Sequence, residues 1–117
     1  MTKLREADID VETGLSYCGE DLEIYQTILE AYIDEAKPKT ENIISSYAAE
    51  DWKNYCVYVH ALKSTSKTIG AMELSELAAT LEAAAKSEDI DVIRKNHDMA
   101  LQMYGEVVAN LEEIIKK

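Results

Sequence analysis

The sequence is poor in the residues that interrupt helices. Its 117 residues include one proline and four glycines, a composition that favours long helices over a fold with many tight turns. Hydrophobic residues make up 47% of the chain, enough to fill the core of one ordinary domain. We therefore predict an all-α protein in which residues 1–117 form a single domain.

Cysteine is also scarce. Cys18 and Cys56 are far apart in the chain and have no histidine cluster beside them. This spacing indicates neither a disulfide framework nor a zinc site. A reducing cytoplasm is the expected location.

Basic residues are few. Lysine and arginine number 12 against 23 aspartates and glutamates, and the net charge is −11 at pH 7. Such a chain is repelled by nucleic acid and by anionic membranes. The sequence also lacks an apolar signal region in "MTKLREADID" and any run of about 18 apolar residues that could span a bilayer. We expect neither nucleic acid nor a membrane as a partner.

Apolar residues recur at steps of three and four, which is typical of amphipathic helices. A short first segment ends at Gly19, a residue suited to a left-handed helix stop, and is expected to lie across one end of the molecule. A long segment starts at Leu22 and contains Pro38. The sequence leaves open whether Pro38 kinks one long helix or separates two.

Three further helical segments follow. Asp51 is the predicted N-cap of the first of these, Gly70 permits a tight turn after it, and Ser87 or Asp89 caps the last. Long helices with short connections pack as antiparallel neighbours, so we predict an up-down-up-down four-helix bundle with a short extra N-terminal helix. The residues predicted to face inward are Leu22, Tyr25, Ile28, Leu29, Tyr32, Ile33 and Ala36; Trp52, Tyr55, Val59, Leu62, Ser66 and Ile69; Leu74, Leu77, Leu81 and Ala84 or Ala85; Ile90, Ile93, His97, Ala100, Leu101, Tyr104, Val108, Leu111 and Ile115.

An α-helix turns by about 100° per residue. With this rotation, His60 lies outside the inward-facing arc of its helix. No acidic residue occurs between Asp51 and Glu73, so this helix carries only positive charge in an acidic protein. Its outer surface is either an ordinary solvated face or a surface for a small anion or the acidic pocket of a partner. The residues that share the face of His60 are Lys53, Cys56, Val57, Lys63, Ser64 and Lys67.

His97 is the second histidine, and it falls in register with Ile93, Ala100 and Tyr104 on the last apolar stripe. We predict that it packs in the core. Neither histidine is followed four residues later by a carboxylate or thiol that would complete a ligand set, so the sequence gives only weak support for metal binding. Nucleophilic chemistry at His60 remains.

The stretch "HALKSTSKTIGAMELSELAATLE", residues 60–82, resembles the signature of histidine phosphotransfer (HPt) domains. The pattern is His-x-Leu-Lys-Gly/Ser, a glycine ten residues after the histidine, and a later Leu-Glu. "IDVETGLSYCGEDLEIYQTILEAYIDEA" resembles the usual lead-in to the first long helix of the family. Ser64 departs from the glycine of many members. The matching residues are His60, Leu62, Lys63, Ser64, Gly70, Leu81 and Glu82.

The resemblance implies a phosphorelay carrier without kinase activity of its own. His60 would accept a phosphoryl group from a receiver-domain aspartate and pass it to another receiver. A neutral imidazole is a competent nucleophile near pH 7, since its unperturbed pKa is about 6.5. Lys63 and Lys67 could offset phosphoryl charge. Glu82 is either a surface carboxylate or, as in some family members, the acceptor that orients the histidine ring.

The implied partners are response-regulator receiver domains, with a hybrid sensor histidine kinase as a further candidate. Lys53, Val57 and Ser64 are predicted to line the docking surface, while Gly70 is predicted to be structural. No cofactor or metal is expected on this chain, because the resemblance places Mg²⁺ on the receiver. A monomer is expected.

Two other functions remain open. The bundle could be an interaction module that binds a signalling partner while His60 never carries phosphate. Alternatively, it could bind a ligand or metal within its core, which would need polar groups converging there. The inward stripes offer few polar groups beyond His97 and tyrosines.

Overall fold

The computed structural model describes residues 11–115 and contains five α-helices in that range. These are α1 (Val11–Tyr17), α2 (Leu22–Ala48), α3 (Trp52–Ile69), α4 (Met72–Lys86) and α5 (Ile90–Ile115). The all-α prediction is confirmed. Residues 1–10 and 116–117 of the predicted domain, and the Ile115 side chain of the last predicted stripe, lie outside the described set. None of the described helices is both long and apolar enough to cross a bilayer.

Aspartates begin three of the helices. The carboxylates of Asp21, Asp51 and Asp89 accept hydrogen bonds from backbone N–H groups in the first turns of α2, α3 and α5. Each bond satisfies an N–H that the helix itself leaves without a partner. Asp51 is confirmed as an N-cap, and Asp89 rather than Ser87 caps the last helix. Ser87 instead ends α4.

The turns after α2, α3 and α4 share one backbone conformation. Their central residues, Glu50, Gly70 and Glu88, have φ of 54°, 91° and 56°. In each turn the next residue donates its N–H to the carbonyl five positions back, over 2.8 or 2.9 Å. This pattern caps the last helical carbonyls with a residue in the left-handed region. Glycine adopts that region without strain, whereas a glutamate does not.

Pro38 lies inside α2, which is one continuous helix from Leu22 to Ala48. The alternative of two helices separated at Pro38 is therefore excluded. Proline deprives the carbonyl four residues earlier of its hydrogen bond. Because Pro38 is exposed, water can hydrate that carbonyl.

Side-chain contacts define an antiparallel bundle. Tyr25 near the start of α2 donates a 2.7 Å hydrogen bond to the carbonyl of Ile69 at the end of α3. Further along α2, the hydroxyls of Tyr32 and Ser66 are 2.8 Å apart. The rings of Tyr32 and Tyr104, the latter from α5, form a T-shaped pair with centroids 5.5 Å apart. α4 packs against α3 and α5. The predicted up-down-up-down four-helix bundle is confirmed.

The core follows most of the predicted stripes. On α3 the predicted arc is buried except for Trp52, which is half-buried, and on α4 Leu77 is half-buried. The prediction for Leu22 is wrong, because this first residue of α2 is 59% exposed. On α5, Val107 is buried while the predicted Val108 is half-buried. The periodicity therefore locates the buried faces, with errors at helix ends and stripe margins.

Helix α1 lies against the end of the bundle where α2 begins and α3 ends. A Cβ atom on Gly14 would lie 2.8 Å from the Ile69 carbonyl oxygen and 2.5 Å from the Tyr25 ring, so residue 14 must lack a side chain for this approach. Gly19 then ends the segment with φ of 63°. Both the predicted stop and the predicted position across the bundle end are confirmed.

Candidate functional site

His60 stands at the middle of α3 with its side chain 57% exposed. Its neighbours Val59 and Leu62 are 0% and 1% exposed, since they lie on the opposite, inward arc of the helix. The core therefore fixes the rotation of α3 about its axis. As a result the imidazole points outward, on the side of the bundle where α3 packs against α4.

Glu82 of α4 holds the imidazole in one orientation. The His60 Nδ1 atom and the Glu82 Oε2 atom are 2.6 Å apart, and the glutamate side chain is only 8% exposed. An ionised carboxylate can only accept hydrogen bonds, so Nδ1 is the donor. In the neutral ring this bond leaves the lone pair on Nε2. The contact corresponds to the orienting alternative for Glu82.

Two lysines share the same carboxylate. The Lys63 ammonium lies 2.6 Å from Glu82 Oε1, and the Lys86 ammonium lies 3.4 Å from Oε2. Lys63 is one turn after His60 on α3, whereas Lys86 is one turn after Glu82 on α4. We refer to His60, Lys63, Glu82 and Lys86 as the Glu82 cluster.

Opposing effects act on the charge of Glu82. Burial raises the pKa of this carboxyl group, but the hydrogen bonds from Lys63 and His60 outweigh burial and lower the pKa to about 2. A carboxylate that accepts hydrogen bonds from charged donors is stabilised in its ionised form. Glu82 is therefore ionised at neutral pH and keeps its role as a hydrogen-bond acceptor.

Two further contacts connect α3 to α4 beside the cluster. The Ser75 hydroxyl donates to the Lys63 carbonyl over 3.0 Å. The Cys56 thiol donates to the Glu82 carbonyl over 3.8 Å, a weak sulfur hydrogen bond. Because the two contacts flank the His60–Glu82 pair along the helices, they stabilise the register in which the imidazole meets the carboxylate.

The remaining predicted site residues lie around this cluster. Val57 is 58% exposed, and Ser64 is exposed on the same outer face of α3. Lys53 and Lys67 are also exposed, but each is two turns, or about 10 Å along the axis, from His60. The structure thus places Lys63 in the cluster and leaves Lys53 and Lys67 at the ends of the face.

A family model for the Hpt domain matches residues 27–115, which include the whole Glu82 cluster. The chain belongs to the Hpt family. The family resemblance predicted from residues 60–82 is confirmed, and this family is that of the histidine phosphotransfer domains of phosphorelays. Hpt domains in phosphorelays act as phosphocarriers and interact with receiver domains and hybrid kinases.

Two relatives agree with this assignment. The phosphorelay intermediate protein rdeA of Dictyostelium discoideum is 22% identical over 107 residues, which cover 92% of this chain and 39% of that protein. The HPt domain of an Hpt sensor hybrid histidine kinase from Shewanella superposes with a TM-score of 0.85 at 14% identity, covering 94% of this chain and 95% of that domain. The second match shows that the two share a fold.

Lys86 is the residue of this Hpt domain's cluster that the sequence analysis missed. Its signal was present, because Glu82 and Lys86 are four residues apart on one helix, the spacing at which opposite charges meet. The residues predicted to surround His60 all belong to α3, whereas Lys86 approaches from α4. Gly70, predicted to be structural, ends α3 with its backbone in the left-handed region.

His97 is buried in the Hpt domain, with 5% exposure, and its predicted packing role is confirmed. The Tyr55 hydroxyl lies 2.9 Å from His97 Nδ1, and the Tyr47 ring stacks on the imidazole with centroids 3.8 Å apart. Burial lowers the pKa of His97, with Asp98 acting in the opposite direction. The two histidines therefore have opposite environments.

The thiols of Cys18 and Cys56 are free. Across the described range 11–115, no three or more histidine, cysteine, aspartate or glutamate side chains converge in a way that could hold a metal ion.

Proposed function

We propose that His60 is the phosphoacceptor, and that Nε2 takes a phosphoryl group from the aspartyl phosphate of one receiver domain and passes it to the aspartate of another. The observation that carries this proposal is the hydrogen bond between Nδ1 and Glu82 on an otherwise exposed ring. That bond occupies the inner nitrogen and leaves the outer one free for an in-line approach by a partner.

The transfer step needs no base on this chain. The Nε2 lone pair forms a bond to phosphorus while the bond from phosphorus to the aspartate oxygen breaks, and the aspartate leaves as a carboxylate. The reverse sequence returns the electron pair to Nε2. Because the transition state is loose, its main requirements are alignment and positive charge near the phosphoryl oxygens.

The lysines supply that positive charge in the proposal. Lys63 and Lys86 are both within salt-bridge distance of the carboxylate that contacts His60, so an entering phosphoryl group would meet two ammonium groups. Lys86 is the more exposed of the two, with 68% of its side chain accessible, and its contact with Glu82 is the longer one. Lys67 contributes from further along α3.

Docking is assigned to the outer face of α3. Val57 offers an apolar contact, Ser64 permits close approach, and Lys53 and Lys67 suit the acidic pocket of a receiver. We further propose that Mg²⁺ is bound by the receiver, that no cofactor is bound here, and that this cytoplasmic monomer has no kinase activity of its own. A hybrid sensor histidine kinase is the proposed upstream source of phosphate.

The test is phosphotransfer from a radiolabelled phosphorylated receiver. The wild type should acquire label that is acid-labile and alkali-stable, as expected for phosphohistidine, and His60→Gln should acquire none. Label that persists in His60→Gln would exclude His60 as the acceptor. If the wild type binds receivers but stays unlabelled, the bundle is an interaction module instead.

A further inference from the structure

The Nδ1 proton of His60 has a defined partner, and its position during transfer affects how easily the phosphoryl group leaves. The donor–acceptor distance to Glu82 is 2.6 Å, typical of a strong charge-assisted hydrogen bond. Bond formation at Nε2 draws electron density from the ring and makes Nδ1–H more acidic. A ring without a partner at Nδ1 would release that proton to water at neutral or alkaline pH.

We propose that Glu82 retains the Nδ1 proton on the imidazole while His60 carries the phosphoryl group, so that the ring leaves as neutral imidazole in the onward step. This inference rests on the proposed function and names the residue that sets how readily the phosphoryl group is passed on. Glu82 acts here as a positioning residue, since it contacts the ring rather than the reacting atoms.

The bonding changes show why retention matters. In onward transfer an aspartate oxygen bonds to phosphorus, the P–Nε2 bond breaks, and its electron pair returns to Nε2. If Nδ1 still carries its proton, the leaving group is neutral imidazole and no proton enters or leaves. If that proton has been lost, the leaving group is an imidazolate anion, which is a much poorer leaving group.

The charges around the ring are consistent with a carboxylate that stays ionised. On α3, Lys63 donates to the second oxygen of Glu82, and Cys56 is bonded to the glutamate backbone rather than to the ring. On α4, Lys86 lies beside Oε2. The lowered pKa of the Glu82 carboxyl group agrees with this arrangement. The carboxylate is therefore present as a hydrogen-bond acceptor for Nδ1–H at neutral pH.

The pH profile of the loaded protein tests the proposal. The full chain and Glu82→Gln are phosphorylated with potassium phosphoramidate, and loss of the phosphohistidine signal is followed by ³¹P NMR between about pH 5 and pH 9. A protonated ring loses its phosphoryl group faster. The decline of this rate with rising pH should occur about one pH unit higher in the wild type, so that near pH 8 its loss is about tenfold faster than in Glu82→Gln.

A spectroscopic measurement and a matched control complete the experiment. At neutral pH the ¹⁵N shift of Nδ1 should lie nearer that of a protonated nitrogen in the phosphorylated wild type than in phosphorylated Glu82→Gln. Glu76→Gln, which removes an exposed carboxylate from the same helix, should match the wild type. Coincident pH profiles for the wild type and Glu82→Gln would overturn the role of Glu82. Failure of the wild type to take phosphate on His60 would contradict the carrier function itself.

Discussion

Glu82 combines a buried position with a full negative charge, and this is tolerated because its oxygens face three nitrogen donors. An unpaired carboxylate at 8% exposure would be strongly destabilising. The hydrogen bonds from Lys63 and His60 convert the burial penalty into a net preference for the ionised form. The same contacts that orient the imidazole therefore contribute to the stability of the fold.

Acid should destabilise the protein through Glu82. Its pKa is lowered from 4.5 to about 2, so the stabilisation is fully present above pH 4.5 and is lost as the pH falls toward 2. We expect Glu82→Gln to lower the free energy of unfolding at pH 7 by about 1–3 kcal/mol. The variant should also lose less stability than the wild type between pH 4.5 and pH 2. Urea unfolding across this range measures both effects, and an identical pH dependence in both proteins would contradict the contribution of Glu82.

His97 should produce a separate effect nearer neutrality. Burial lowers its pKa from 6.5, so below that pH the unfolded chain binds a proton that the folded protein does not. Stability should therefore fall as the pH drops through 6.5, by at most about 1.4 kcal/mol per pH unit. In His97→Gln this part of the slope between pH 7.5 and pH 5.5 should disappear, as measured by urea unfolding. A slope equal to that of the wild type would show that His97 binds its proton equally well in the folded and unfolded states.

The outward direction of His60 and the inward direction of His97 could both be predicted from helical periodicity. That geometry depends only on residue spacing within one helix. The contact between His60 and Glu82 could not be decided in the same way, because it depends on how α3 and α4 rotate and slide against each other. The family resemblance implied this contact only as one of two alternatives for Glu82. The packing of α3 against α4 brings the His60 and Glu82 side chains to 2.6 Å.

At the scale of elements, α2, α3 and α4 are each followed by a turn with one residue in the left-handed region, but the residue type differs. The turn after α3 has Gly70 in the left-handed region, whereas the turns after α2 and α4 have Glu50 and Glu88 there. The glycine stop was predictable from residue type. The two glutamate stops were not, because their conformation is imposed by the short connections between antiparallel helices. The continuity of α2 through Pro38 was likewise decided by packing on both sides of the proline.

Replacing Glu88 with glycine should stabilise the protein. The substitution removes the clash of a Cβ atom at φ of 56°. The resulting gain in the free energy of unfolding should exceed the entropic cost of glycine's greater flexibility in the unfolded chain by about 0.5–1 kcal/mol. Thermal unfolding should show a midpoint a few degrees higher. Glu88→Ala is the matched control, since it removes the carboxylate but keeps the Cβ atom, and it should give no comparable gain. Equal gains would attribute the effect to charge instead of backbone strain.

At the scale of the whole molecule, positive charge is concentrated on one face of α3, although the net charge of the chain is negative. The chain carries −11 at pH 7, yet α3 contains Lys53, Lys63 and Lys67 and no acidic residue. A local cationic face on an acidic protein steers an acidic partner toward one surface and disfavours the others. In the proposed complex this asymmetry directs a receiver toward His60.

The lysines at the ends of the α3 face should govern the rate of association. We expect Lys53→Gln combined with Lys67→Gln to slow binding to a cognate receiver several-fold at low salt, with the difference largely lost at about 0.5 M salt. Stopped-flow fluorescence would measure the rates. Lys95→Gln, on the exposed surface of α5, is the control for the same change in charge per site and should leave the rate nearly unchanged. Equal slowing by Lys95→Gln would mean that overall charge, and not this face, is responsible.

The openness of the His60 ring also determines what the chain cannot do alone. A side chain that is 57% exposed is as accessible to a water molecule as to an aspartate. In the proposed complex, shielding from hydrolysis would come from the receiver, whose surface would cover the ring. Between encounters the proposed phosphohistidine would be hydrolysed at the rate of its reaction with water, and this rate would set the time available for onward transfer.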